Sequence, residues 1–240
     1  MDKVSIMMCC FNNVQFIKQA IESIQGQTHK NWELIISDDQ SSDGTYELAC
    51  VLASKDDRIK VFQNAQNLGT AKNRHAAAKH LTGDFVCHVD SDDALERWAL
   101  EEMLLYFAKL PDIMLLYSDF AQIGIDNKVQ VYCQSKDFDR EILHQHGWRH
   151  FGIYRSKVLK EIYGYNDKLI TCEDGDLFMQ IAEKYDCAHV PKVLYYYRAH
   201  GNNASQKNSK CEDCNLRKDC NYIRVWSKAA KYDPVTFKPL

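Results

Sequence analysis

The apolar run Phe85–Val89 ends in Asp90-Ser91-Asp92-Asp93. Three carboxylates within four residues repel one another, and a strand end has no folding need for them. A divalent cation between them relieves the repulsion. A ligand set of carboxylate oxygens suits Mn2+ or Mg2+ rather than zinc. Such an ion keeps positions open for phosphate oxygens, so a metal-bound diphosphate is the chemistry this cluster implies. The structural alternative, an Asp capping the helix that contains Glu96 and Trp98, accounts for one acid and leaves two.

Two further acidic clusters are read the same way. In Asp38-Asp39-Gln-Ser-Ser-Asp43-Gly44, Ser42 or Asp43 caps the helix that follows, while Asp38 and Asp39 face the same cleft as the metal cluster. A carboxylate there accepts the ring N–H of a uracil-type base. Phe11 either offers its ring to that base or belongs to the core. Thr171-Cys-Glu173-Asp174-Gly-Asp176 opens an amphipathic helix. The helix dipole accounts for one or two of its acids; three around a glycine also suit a catalytic general base.

Positioning these clusters requires a sheet. Strand-like runs at Val4–Cys9, Glu33–Ser37, Ile59–Phe62, Phe85–Val89 and Ile113–Tyr117 alternate with helical spacing over Val14–Gln27, Thr45–Ser54, 70–81 and Glu96–Lys109. That alternation predicts an α/β fold with a mostly parallel sheet flanked by helices. Ligands of such sheets gather beyond the carboxyl ends of the strands, where the polar clusters fall. After residue 120 the alternation loosens. Lys128–Cys133 reads as a strand outside the parallel core and Ser156–Ile162 as a short helix. Glu173–Tyr185 reads as an amphipathic helix, and Ala188–Pro191 and Val193–Arg198 as strands.

The 240 residues suffice for a core without disulfides. A net charge of -3 leaves no footprint for nucleic acid and no general attraction to acidic membranes. The longest apolar runs are too short to span a bilayer, and MDKVSIMMCCF does not read as a signal peptide. Seven of the ten cysteines lie in apolar or mixed segments, where a free thiol is a small buried group. The expected location is a reducing cytoplasm.

Taken together, VSIMMCCFNN, QTHKNWELIISDDQSSDGT, NLGTAKNRHAAAKHLTGDFVCHVDSDD, CEDGDL and YYYRAHGNN resemble the family 2 glycosyltransferases, with their GT-A (Rossmann-like) fold, from about residue 3 to residue 205. The resemblance implies a nucleotide-sugar donor, a divalent metal and inversion at the anomeric carbon. It implies that Asp39 reads the base with Asp38 beside it, that Asn67 opens the turn before Arg74, and that Arg74 lies along the nucleotide. Of the acids at 90–93, one or two contact metal and another the ribose; Asp90 and Asp92 are assigned to the donor, Asp92 and Asp93 with His200 to the metal. Asp174 matches the catalytic base, and Glu173 and Asp176 help hold the acceptor or the helix end. The sequence departs from the family at Cys9-Cys10-Phe11-Asn12, where Pro-Thr-Tyr-Asn is usual, and at His75, where Asn usually follows the arginine.

The acceptor, a sugar, lipid-linked glycan or protein, is expected to meet the loosely patterned part, with Trp148 and His150 as candidates. A sugar-phosphate nucleotidyltransferase would want a glycine-rich phosphate loop near the N-terminus, and MMCCFNN contains no glycine. A nucleotide-sugar-binding module without transfer is the other alternative; the intact Asp174 argues against it. The expected organisation is a domain over 1–205, with a donor half at 1–120 and an acceptor half at 121–205, and a small Cys-containing extension over 206–240. Residues 206–231 carry seven Lys/Arg against three Asp/Glu, and hold Cys211, Cys214 and Cys220. These three suggest zinc or an iron–sulfur cluster, with His200, His189 or Cys187 as a fourth ligand, or else plain thiols or a disulfide. Tyr222, Val225 and Trp226 form an apolar face that packs on the domain or rests against a partner or a membrane surface.

Overall fold

The computed structural model describes residues 2–139, 151–169, 173–201 and 203. Its first half follows the predicted alternation: β1 (Val4–Cys10), α1 (Ile17–Gln25), β2 (Trp32–Asp38), α2 (Thr45–Ala53), β3 (Ile59–Gln63), α3 (Thr70–Ala78) and β4 (Phe85–His88). These strands lie in the order β3-β2-β1-β4 and all pair in parallel. β2 is buried along its whole length and β1 almost so, which is why both read as near-continuous apolar runs rather than alternating ones. Successive side chains feed opposite faces. Ile6 and Met8 join a core with Ile17, Ile21 and Ile24 of α1, whereas Met7 joins one containing Val86 and Ala77 of α3.

The second half is mixed. β5 (Ala94–Leu95) precedes α4 (Ala99–Lys109), followed by β6 (Leu115–Ile123), β7 (Val129–Cys133), β8 (Gly152–Arg155), α5 (Glu173–Lys184) and β9 (Cys187–Arg198). β8 runs antiparallel between β4 and β6, β9 lies parallel to β6, and β5 and β7 pair antiparallel with β9 and β6. β5 and β8, of two and four residues, are too short to show periodicity in the sequence. A 3-10 turn at Ser156–Lys160 stands where a short helix was expected. The two runs expected within 188–198 form one strand with two register shifts in it: Ser118 pairs Val190, Asp119 pairs Val193 and Phe120 pairs Tyr195, so the first shift passes over Lys192 and Pro191, which has no N–H to donate.

β8 presses closely on α5. A Cβ placed on Gly152 would lie 2.7 Å from the ring of Phe178, so glycine is what lets this helix approach the sheet. No helix among the described residues is long and apolar enough to cross a membrane. Trp148, His150 and the cysteine-bearing extension lie outside the described residues.

Candidate active site

β1, β2 and β4 finish along one edge of the sheet, where Cys10 pairs Asp38 and Met7 pairs His88. The segments that leave this edge carry the acidic clusters, and α5 brings its N-terminus against them. Arg74 joins the two sides. It is buried, its Nε lies 2.8 Å from Glu173 Oε1 and its NH2 group 3.4 Å from Asp90 Oδ1. The Nε contact is an ion pair without hydrogen-bond alignment. Desolvation would favour the neutral guanidine, but Glu173 and Asp90 outweigh it and hold Arg74 firmly charged.

The surrounding acids are crowded. Desolvation raises the Asp90 carboxyl to about 6; Arg74 pulls it down, and Asp92 and Asp174 push it further up. Glu173 is raised by burial, with Arg74 opposing and Asp174 adding to the rise. Asp174 stands half-buried at the first turn of α5 and accepts the Gly175 N–H at 2.7 Å. Asp176 accepts from the Gln180 amide one turn along the helix at 2.8 Å.

The loop after β4 divides its acids. Asp93 does not face the cleft, contrary to its expected place among metal ligands. It is 1% exposed, accepts from the Tyr195 hydroxyl at 2.7 Å and from the Arg198 N–H at 2.7 Å, and so anchors the loop to β9. Burial raises it well above the ordinary carboxylate range. Asp92 lies on the other side of the loop, where its Oδ2 accepts from His200 Nε2 at 2.8 Å and from the Asn203 amide at 3.4 Å. The second ring nitrogen of His200 is buried with no partner among the described residues, and the ring packs on Phe16 at 4.6 Å.

This pair fits a small hard cation. A carboxylate oxygen and an imidazole nitrogen 2.8 Å apart need widen little, since adjacent ligands of a Mg2+-sized ion lie ~3 Å apart. No group of three or more His, Cys, Asp or Glu encloses a metal among the described residues, so other positions would fall to phosphate oxygens and water. Of the residues named as a fourth ligand for the cysteine cluster, which itself lies outside the described residues, His189 lies between Asp119 and Asp137 at 2.8 and 3.0 Å and Cys187 is a buried free thiol.

The segment after β2 also splits. Asp38, expected beside the base, is instead fully buried and builds the loop, taking the Ser41 N–H at 2.9 Å and the Gln63 amide at 3.0 Å on one oxygen. Asp39 reaches across to the turn before α3. Its Oδ1 accepts from Leu68 N–H and the Asn64 amide, and its Oδ2 from Gly69 N–H, all at 2.8 Å. A carboxylate has about four acceptor positions, so Asp39 keeps one beyond these three bonds. Gly69 has a φ of 80°, which suits glycine, and Asn67 closes the turn by donating to the Asp39 carbonyl at 3.1 Å. Phe11 is 47% exposed at this mouth, a free aromatic face rather than a core residue. Neither Ser42 nor Asp43 is the cap of α2, whose N-cap is Gly44; Asp43 instead braces the loop, taking the N–H and hydroxyl of Thr45 and the N–H of Val14.

Several functional supports escaped sequence reasoning. Arg198 is the largest. Its side chain donates to the Asp92 carbonyl at 2.8 Å, the Gly124 carbonyl at 3.1 Å and Gln19 Oε1 at 2.9 Å, so one cation fixes the acidic loop to two other segments. Tyr195 receives the Asp90 N–H while donating to Asp93. Ser91 donates to the Asn13 amide oxygen at 2.8 Å, and that amide in turn donates to the Phe11 and Asn12 carbonyls. An arginine closing the apolar strand run LYYYR was the readable signal for Arg198, since a cation there must find buried acceptors.

Comparison with known proteins gives concordant results. The family model described as glycosyl transferase family 2 matches residues 5–163. The chain is 30% identical over 210 residues to an uncharacterized glycosyltransferase of Methanocaldococcus jannaschii, covering 82% of this chain and 72% of that one. It is 28% identical over 212 residues to chondroitin synthase of Pasteurella multocida, covering 85% of this chain and 21% of that protein. The first four curated relatives are covered over only 21% to 39% of their length. Among solved structures, S. aureus TarS 1-349 in complex with UDP-GlcNAc superposes with a TM-score of 0.75 at 22% identity, over 95% of this chain and 66% of that one. Mannosyltransferase PcManGT of Pyrobaculum calidifontis, in complex with GDP-Man and Mn2+, superposes with a TM-score of 0.71 at 14% identity, over 97% and 65%. These two likenesses concern the fold.

Proposed function

The chain belongs to glycosyl transferase family 2, and from that premise we propose that it moves a sugar from a UDP-linked donor to a hydroxyl acceptor with inversion, in glycan or polysaccharide synthesis. The observation that carries the reading is the meeting of Arg74, Asp90 and the Glu173–Asp174 pair at the carboxyl edge of the parallel strands. Binding of UDP and UDP-GlcNAc by TarS, whose fold this chain shares, supports the choice of donor.

In this reading the base of the nucleotide lies between Phe11 and Asp39, whose remaining acceptor position takes an imide N–H. Arg74, held charged, lies along the diphosphate. Asp92 and His200 hold Mn2+ or Mg2+, which supplies charge neutralisation on the leaving diphosphate. Asp93, Tyr195 and Arg198 keep the loop in place for that pair. Asp174 removes the proton from the acceptor hydroxyl, which attacks the anomeric carbon from the face opposite the nucleotide. Glu173, paired with Arg74, holds the start of α5 against the donor side, and Asp176 lies one turn away toward the acceptor. The acceptor is a sugar, lipid-linked glycan or protein, met on the α5 side of the cleft, with Trp148 and His150 as further contacts.

A thermal-shift series with UDP, GDP, CDP and dTDP, each with and without Mn2+, tests the donor side. UDP with Mn2+ is expected to raise the melting temperature most, and the rise should shrink when the metal is omitted. Equal, metal-independent shifts with all four nucleotides would remove both the base assignment and the metal pair.

A further inference from the structure

Three polar side chains outside the carboxylate cluster converge on one tyrosine. Tyr165 is buried, and its hydroxyl lies 2.5 Å from both His88 Nε2 and the hydroxyl of Tyr154. Its main-chain carbonyl faces His75 Nδ1 at 3.0 Å. A carbonyl only accepts, so His75 carries a proton on that nitrogen. Burial, with Arg74 adding to it, holds His88 well below its ordinary pKa, so it meets Tyr165 as neutral imidazole.

The two histidines belong to the donor wall. His75 follows Arg74 on α3, and His88 ends β4 two residues before Asp90. Tyr165 belongs to the other side. Gly164, at a φ of 82°, has its N–H and its carbonyl both bound by the Gln180 amide of α5, at 3.1 and 3.0 Å. The same amide donates to Asp176. Residues 164–165 therefore tie α5 to α3 and β4 at a point separate from the Arg74–Glu173 contact.

We propose that Tyr165 is a positioning residue for transfer, clamped by His75, His88 and Tyr154 so that the end of α5 carrying Asp174 keeps its orientation toward the donor wall. The proposal rests on the transfer reading above. Apolar packing of Leu177, Phe178 and Ile181 seats α5 on the sheet, and this second polar attachment, beside the Arg74–Glu173 contact, fixes the orientation of its first turns. Misplacing a reacting group by about 1 Å can cost ~10²-fold in rate.

Three variants test the clamp. Tyr165→Phe keeps the ring and deletes the hydroxyl, His75→Ala deletes the donor to the carbonyl, and His75→Asn restores an N–H. The ratio of sugar transferred to sugar released into water is measured at fixed donor, because it does not depend on the fraction of folded enzyme. UDP affinity is measured by calorimetry with Mn2+. Tyr165→Phe and His75→Ala are expected to lower the ratio roughly 5- to 20-fold with the UDP Kd within about twofold, and His75→Asn to recover most of it. An unchanged ratio, a fall in UDP affinity that tracks the loss of transfer, or failure of His75→Asn to recover the ratio overturns the proposal.

Hydrogen exchange over residues 174–184 reads the clamp without any transfer. Exchange about tenfold faster in Tyr165→Phe and His75→Ala supports it, and unchanged exchange overturns it. A wild-type chain that transfers nothing while its variants still show faster exchange sinks the transfer reading and leaves the clamp standing.

Discussion

Neighbouring acids in this chain have different surroundings. Asp92 meets His200 while Asp93 is buried under Tyr195 and Arg198. Glu173 is buried against Arg74 while Asp174 stays half-buried and bonds only its neighbour's N–H among the described contacts. In the proposed mechanism this difference makes Asp174 the proton acceptor and Glu173 its support. Asp174→Asn should therefore lower transfer by ~10²–10⁴-fold, and calorimetry should find UDP binding nearly unchanged. A comparable loss of UDP affinity would move Asp174 from proton removal to donor binding. The residue types at these clusters were legible in the sequence. Which member of each pair turns inward was not, because the deciding partners, Tyr195, Arg198 and Arg74, lie about a hundred residues away along the chain.

At the level of elements, β8 and α5 depend on each other through Gly152. A methyl group there meets the Phe178 ring at 2.7 Å, within a packed core that cannot yield freely. Gly152→Ala should cost about 1–3 kcal/mol by overpacking, measured by denaturant unfolding, and should lower transfer because α5 is the element displaced. β2 carries a different dependence at Glu33, which accepts from Ser5, Thr82 and Lys3 and thereby joins β2 to β1 and to the turn before β4. Burial alone would raise its pKa, but the hydrogen bonds from Ser5, Lys3 and Thr82 outweigh it and hold the carboxyl at about 2. Its folded pKa is depressed below the ordinary 4.5, so its stabilisation is complete above pH 4.5 and is lost as the pH falls toward 2. Glu33→Gln should thus destabilise the protein by about 1–3 kcal/mol at neutral pH, and the gap in unfolding midpoint should narrow in acid. A gap that stays constant from pH 7 to pH 3 would mean that the Glu33 charge does not stabilise the fold. The strands and helices of the first half were legible because β1 and β2 are buried on both faces and α1 on one stripe. The second half was less so, since β5 and β8 are short and gain their identity from β9, β4 and β6.

Across the whole molecule, the proposed donor site draws on residues from Phe11 to His200, so neither half of the fold contains it alone. The chain covers only part of the length of several relatives it matches, and its acceptor side is the part that sequence pattern described least. The clusters proposed to hold the donor were readable as residues because they follow strand ends that recur along the first half. The placement of β8 and α5 was not, because pairings and close packing that leave no periodic trace bring them to the sheet.

His200 and Asn203 lie just past the last residue of β9, while Arg198 at that strand's end is bonded to the loop after β4 at Asp92 and Asp93, to the turn at Gly124 and Asn127, and to Gln19 of α1. Asp92 is thus held twice over, by its carbonyl through Arg198 and by its carboxylate through His200 and Asn203. Replacing Arg198 is therefore expected to loosen the stretch after β4 on its side of the sheet while the parallel strands keep their register.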